Sequence, residues 1–107
     1  MARQINESDW KVFRDLHGIA LERFCQRVIE EVQAIATSST GGYHDRYTKL
    51  FDLMRRRDKE LSRSFDDMRR STALILIANI KGEALLTEEE WNRLSAETCE
   101  AVGGFHA

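Results

Sequence analysis

The sequence has 107 residues, 42% of them hydrophobic and 32% charged, with a formal net charge of −2. That length holds one domain with a modest core, and the near-neutral balance gives no bulk attraction to nucleic acid or to an anionic membrane. Proline is absent and no stretch alternates apolar with polar residues, so helices are expected throughout and strands nowhere.

The first helix is expected over 8–36, opened by Asn6 or Ser8, with Glu7 and Asp9 on the favourable side of its dipole. One arc carries Trp10, Phe13, Ala20, Phe24, Cys25, Val28 and Val32, a wide core face that places the Cys25 thiol inside. A second stripe, Val12, Leu16 and Ile19, occurs only in the first half, which must therefore be covered from two sides. Gly18 allows a kink or a close helix approach.

Residues 37–42 read Thr-Ser-Ser-Thr-Gly-Gly, a polar connection of the length that joins antiparallel helices. No strand precedes the glycines and no Gly-Lys-Ser/Thr follows, so they are a turn and not a phosphate loop. From 43 to 81 the apolar residues keep one helical phase, which predicts a single long helix, bent at most near 62–64. Ser64 with Asp67 resembles a capping box and marks the place where the chain would break, but the phase does not slip there. Such a rod, about 58 Å long, would outreach any globule formed by the rest of the chain and needs a partner. The expected subunit contact is Met54, Leu61, Phe65, Met68, Thr72, Ile75 and Asn79. Asn79 would either fix the register between partner helices or bond a nearby carbonyl.

Arg55, Arg56, Arg57 and Arg63 form a basic stretch interleaved with carboxylates, with Asp52–Arg56 and Asp66–Arg70 at pairing distance along a helix. A solvated, self-neutralised face is the plainer reading, and a nucleic-acid contact is the functional alternative. Segment 73–80 is apolar in every direction and must be wrapped. Lys81-Gly82 stops the helix. Thr87 to Glu90 is a capping box opening a short helix over 88–94, and Ser95 caps another over 96–102. Trp91, Leu94 and Val102 are the expected cover for the second stripe of the first helix. Residues 105–107 are expected to fray.

The three histidines show no ligand spacing, and no nucleophile accompanies His44-Asp45, so neither a metal, a cofactor nor a catalytic constellation is expected. Tyr43 and Tyr47, with Trp10, could line a small aromatic pocket. Cys25 and Cys99 lack paired spacing, which predicts free thiols and a cytoplasmic protein. No basic segment followed by an apolar run opens the chain, so no secretory signal is expected, and the apolar run 73–78 is far short of the ~20 residues that span a membrane.

At Phe24-Cys-Gln-Arg-Val28, across 47–61 (YTKLFDLMRRRDKEL) and at 65–74 (FDDMRRSTAL), the chain resembles uncharacterised small helical proteins carried on mobile gene cassettes of bacteria, such as those of integrons. The resemblance implies a bacterial, adaptive protein. It carries no activity and no site residues.

Together these readings predict one all-α domain: a long antiparallel helical hairpin with one or two short C-terminal helices, paired as a homodimeric bundle. It is expected to act through protein–protein interaction, with itself or another protein, and not as an enzyme.

Overall fold

The computed structural model describes residues 4–104, in which five helices and no strand occur. In chain order they are α1 (Glu7–Ala36), α2 (Tyr43–Phe65), α3 (Ala73–Gly82), α4 (Glu88–Trp91) and α5 (Ala96–Gly103). The fraying expected at 105–107 lies outside the described residues.

Local chemistry sets most of the boundaries. Asn6 caps α1 by accepting a hydrogen bond from the Asp9 amide at 2.8 Å. Thr87 and Glu90 exchange side-chain and backbone hydrogen bonds as a reciprocal capping box, and Ser95 caps α5 through the Thr98 amide. The α1–α2 connection turns at Gly41, whose φ of +77° is the left-handed region that glycine occupies without steric cost. Beside Gly18 there is nothing within 4 Å of where a Cβ would stand, so no helix approaches it closely, and α1 runs unbroken past it.

The single helix expected over 43–81 is two helices. α2 ends at Phe65, and residues 66–72 form a loop in which Asp67 adopts a left-handed backbone, φ 58°. Thr72 organises that loop: its hydroxyl donates to the Asp67 carbonyl at 2.6 Å and accepts from the Arg69 amide at 3.0 Å. The Asp66–Arg70 pairing expected on a continuous helix gives way to Ser62 donating to Asp66 and to Arg70 reaching Glu7. The driving force is the all-round apolar character of α3. Extended on a rod, Leu74, Leu76, Ile77 and Ile80 would stay wet, whereas folded back they are buried, at about 1.5–3 kcal/mol per side chain. An unbroken hydrophobic phase did not outweigh that gain.

The core gathers at one end of the molecule, where Phe13, Leu16, Ala20 and Phe24 of α1 meet Phe65, the buried face of α3, Leu85, Leu94 and Val102. Leu94 and Val102 belong to the same core, with half-buried Trp91 packed against it, and α5 lies chiefly against α3. A buried polar tie closes this end. Asp9, 2% exposed, accepts from the Ser95 amide at 3.0 Å and from the hydroxyls of Ser95 and Thr98. Burial pushes the Asp9 carboxyl up, but the hydrogen bonds from Ser95, Thr98 and Asn6 outweigh it and hold the group below its ordinary value.

α2 runs back along α1: Phe65 lies by His17, Arg57 reaches Glu31, and Arg46 donates to the Ala36 carbonyl. Beyond the core end these two helices are the only layer among the described residues, and they project as an arm. The radius of gyration is 16.7 Å and the extents are 53 × 27 × 23 Å, against about 13 Å for the radius of a compact 100-residue domain.

Candidate interaction surface

The arm carries most of the exposed large apolar side chains, with Met68 and Ile75 exposed outside it. Leu53 is buried and Leu50 half-buried against α1, but the next positions around α2 face outward. Tyr47 is 68% exposed, Phe51 54% and Met54 49%. Ile29 of α1, 55% exposed, faces the same side. Between the helices lies a groove of about 150 Å³ lined by Phe24, Cys25, Val28 and Ile29 of α1 and by Met54, Asp58 and Leu61 of α2. The reason is geometric. Residues 47, 51, 54, 58 and 61 recur at intervals of four and three, about 90° around α2 from the positions that face α1, so a two-helix arm can cover only one of these two stripes.

Cys25 corrects an expectation. Its thiol is exposed in this groove instead of inside the core, because the wide apolar arc of α1 is covered from two sides only where α3 and the later helices reach it. Arg23 and Arg27, which hold the carbonyls of Leu85, Glu83 and Ala84, lie on the opposite side of α1 from Cys25 and Ile29. Segment 83–85 thus packs on the side of α1 away from Cys25 and Ile29, while the floor of the groove, Phe24 and Val28, is continuous with the core.

The seven residues expected to form one subunit contact are dispersed by the break after Phe65. Met54 and Leu61 line the groove. Phe65 is buried, its ring 5.8 Å from Phe24 and 5.3 Å from His17, whose Nε2 lies 3.0 Å from the Phe65 carbonyl oxygen. Met68 lies exposed in the loop, Thr72 holds that loop together, and Ile75 is exposed on α3. Asn79 donates to the Arg63 carbonyl at 3.1 Å, a local bond that ties α3 to the end of α2.

The four arginines do not share a face. Arg57 is held between Glu31 and Glu60, whose hydrogen bonds raise its pKa, and Arg63 pairs with Glu83. Arg55 lies over the Phe51 ring at 5.7 Å, and Arg56 is exposed. Arg55 and Lys59 therefore edge the apolar stripe while Arg57 ties the arm together. The aromatic trio does not meet either. Tyr43 and Tyr47 stand at the arm tip, Tyr43 under the Arg46 guanidinium at 4.4 Å, whereas Trp10 packs on Phe13 at the other end of α1, about 39 Å away along the helix.

Sequence reasoning missed Ile29 and Cys25 as groove residues and Phe51 as part of the exposed stripe beside them. The signal was the four-three spacing of Tyr47, Phe51, Met54, Asp58 and Leu61, a heptad seam hidden inside a wider stripe. No helix among the described residues is long and apolar enough to cross a membrane. Set against models of known families, curated proteins and solved structures, the chain matches none.

Proposed function

We propose that this chain is a small cytosolic α-helical protein that works through protein–protein interaction, and that its first contact is with a second copy of itself. α1 and α2 then act as an antiparallel hairpin that pairs with another hairpin into a dimeric four-helix bundle. The observation that carries the reading is the arm's outward stripe, Tyr47, Phe51 and Met54 beside Ile29 and the groove. Contiguous apolar surface of this kind on an extended element is characteristic of interfaces, and a two-layer arm becomes a bundle only when a second pair of helices covers it. The thiols of Cys25 and Cys99, both free, accord with a reducing compartment.

The test is solution mass. Wild type at tens of micromolar should sediment as a dimer, and Phe51→Glu combined with Met54→Glu should sediment as a monomer with unchanged helicity. Alkylation of Cys25 should slow as wild-type concentration rises through the dimerisation range and show no such dependence in the double variant. A monomeric wild type with concentration-independent alkylation overturns the proposal.

A further inference from the structure

The two edges of the apolar groove carry opposite charge. Along α1 its outer lip is Glu22, Arg23, Gln26 and Glu30, beside Cys25 and Ile29, and the one cation among them, Arg23, is already paired with Glu90. Along α2 the outer lip beyond Phe51 is Arg55 and Lys59, with Arg56 and Asp52 behind them. Gln26 bonds Glu30 on its own lip, and Arg55 lies over Phe51. Neither Glu22 nor Lys59 is a partner in any ion pair among the described residues, and both are exposed.

A second copy can cover this groove about a twofold axis in either of two ways. With the axis perpendicular to the helices, α1 lies over the partner's α1 and α2 over the partner's α2, so acidic lip meets acidic lip and basic meets basic. With the axis parallel to the helices, each α1 lies over the partner's α2, and each acidic lip meets a basic one. The heights agree. Arg57 reaches Glu31 across the arm, and Met54 and Leu61 share the groove with Ile29 and Cys25, so the acidic residues 22–30 and the basic residues 55–59 occupy overlapping stretches of the same axis. Segment 83–85 packs on the side of α1 away from Cys25 and Ile29, so it does not obstruct a second copy over the groove.

We propose that the groove's partner is a second copy of this chain docked about an axis parallel to the arm, with the Glu22/Glu30 lip of each protomer against the Arg55/Lys59 lip of the other. This rests on the self-association proposed above. Charge pairing at the rim of an apolar contact sets orientation and register more than affinity, and like charges across a rim oppose association.

Three variants test it: an acid-lip reversal (Glu22→Lys with Glu30→Lys), a basic-lip reversal (Arg55→Glu with Lys59→Glu) and the fourfold exchange of both. All four positions are solvent-facing, and circular dichroism checks that each variant folds. Each single-lip reversal should weaken homodimerisation about tenfold or more, and the fourfold exchange should restore it. Mixed with isotopically labelled wild type and read by native mass spectrometry, the fourfold variant should form homodimers and exclude mixed dimers. The perpendicular arrangement requires the reverse, with mixed dimers preferred and single-lip reversals leaving homodimers as strong as before, and that result overturns the orientation while the dimer stands. A wild type that stays monomeric removes the dimer and its orientation together.

Discussion

The carboxylate of Asp9 and the hydroxyl of Thr98, 89 residues apart in the chain, are hydrogen-bonded to each other in a buried setting. With Ser95 they bind the start of α1 to the start of α5, where the α5 amides favour a negative charge. The fold is closed there by one anion and four donors, the Ser95 amide and hydroxyl, the Thr98 hydroxyl and the Asn6 side-chain amide, and none of the four is a cation.

Asp9→Ala should therefore lower unfolding stability by about 1–3 kcal/mol, since it leaves buried donors unsatisfied, with Thr98→Val costing less. Because the folded-state pKa of Asp9 lies below its ordinary value, its contribution is complete above the unfolded pKa near 4 and is lost as pH falls through the lower folded value. Denaturant titrations from pH 6 down to pH 2 should show a shallower acid decline in Asp9→Asn than in wild type.

Glu90 provides a second acid-sensitive tie. Arg23 holds it bidentately, 2.8 Å on one side, and with the Thr87 amide lowers its pKa to about 2. Its stabilising contribution is present above its ordinary value near 4.5 and disappears as pH falls toward about 2. Glu90→Gln should loosen α4 at neutral pH, read as faster hydrogen exchange at Trp91 and Asn92, whose amides bond within that short helix.

Phe65 separates the observed fold from the rod read off the sequence. Phe65→Ala should cost about 3–5 kcal/mol in a denaturant melt, because it empties a site packed on Phe24 and His17. Ile75→Ser, on the exposed side of α3, should shift the same melt by no more than about 0.5 kcal/mol. Equal losses at the two positions would contradict the break after Phe65.

Ala84 holds a left-handed backbone, φ 55°, immediately after α3, where its carbonyl accepts from Arg27. A non-glycine residue pays roughly 1–2 kcal/mol in that conformation. Ala84→Gly should raise the thermal midpoint, by a net gain below about 1 kcal/mol because glycine costs more chain entropy.

What the sequence made legible was chemistry acting within a few residues. The caps at Asn6, Thr87 and Ser95, the Gly-Gly turn and the burial of Leu74, Leu76, Ile77 and Ile80 follow from side chains read against helical spacing, whereas Ile75, also expected to be wrapped, stays exposed. What it hid was tertiary choice. The phase shared by α2 and α3 gave no sign of a break because α3 is apolar at nearly every position and so agrees with any phase; Thr72, Ile75 and Asn79, which continue the stripe of α2, are not among the buried residues. Ser64 looked like a cap for a new helix, yet it lies buried inside α2, and the chain turns after it at Asp67 and Thr72. Of the candidate site, Met54 and Leu61 are legible because they fall on the four-three seam of α2 that borders the groove. Phe65 was misassigned to the surface because burial inside a core and burial against a second subunit leave the same trace in a sequence.

The arm described above also divides the molecule in time. At the core end an amide is released only when several helices separate together, whereas near Leu50 a lone pair of helices needs only to splay. Backbone protons from 43 to 50 should therefore exchange orders of magnitude sooner than those of Ile77 or Ile80 in a dilute sample. Their slowing on concentration would record association along the arm, while the core end kept its own clock.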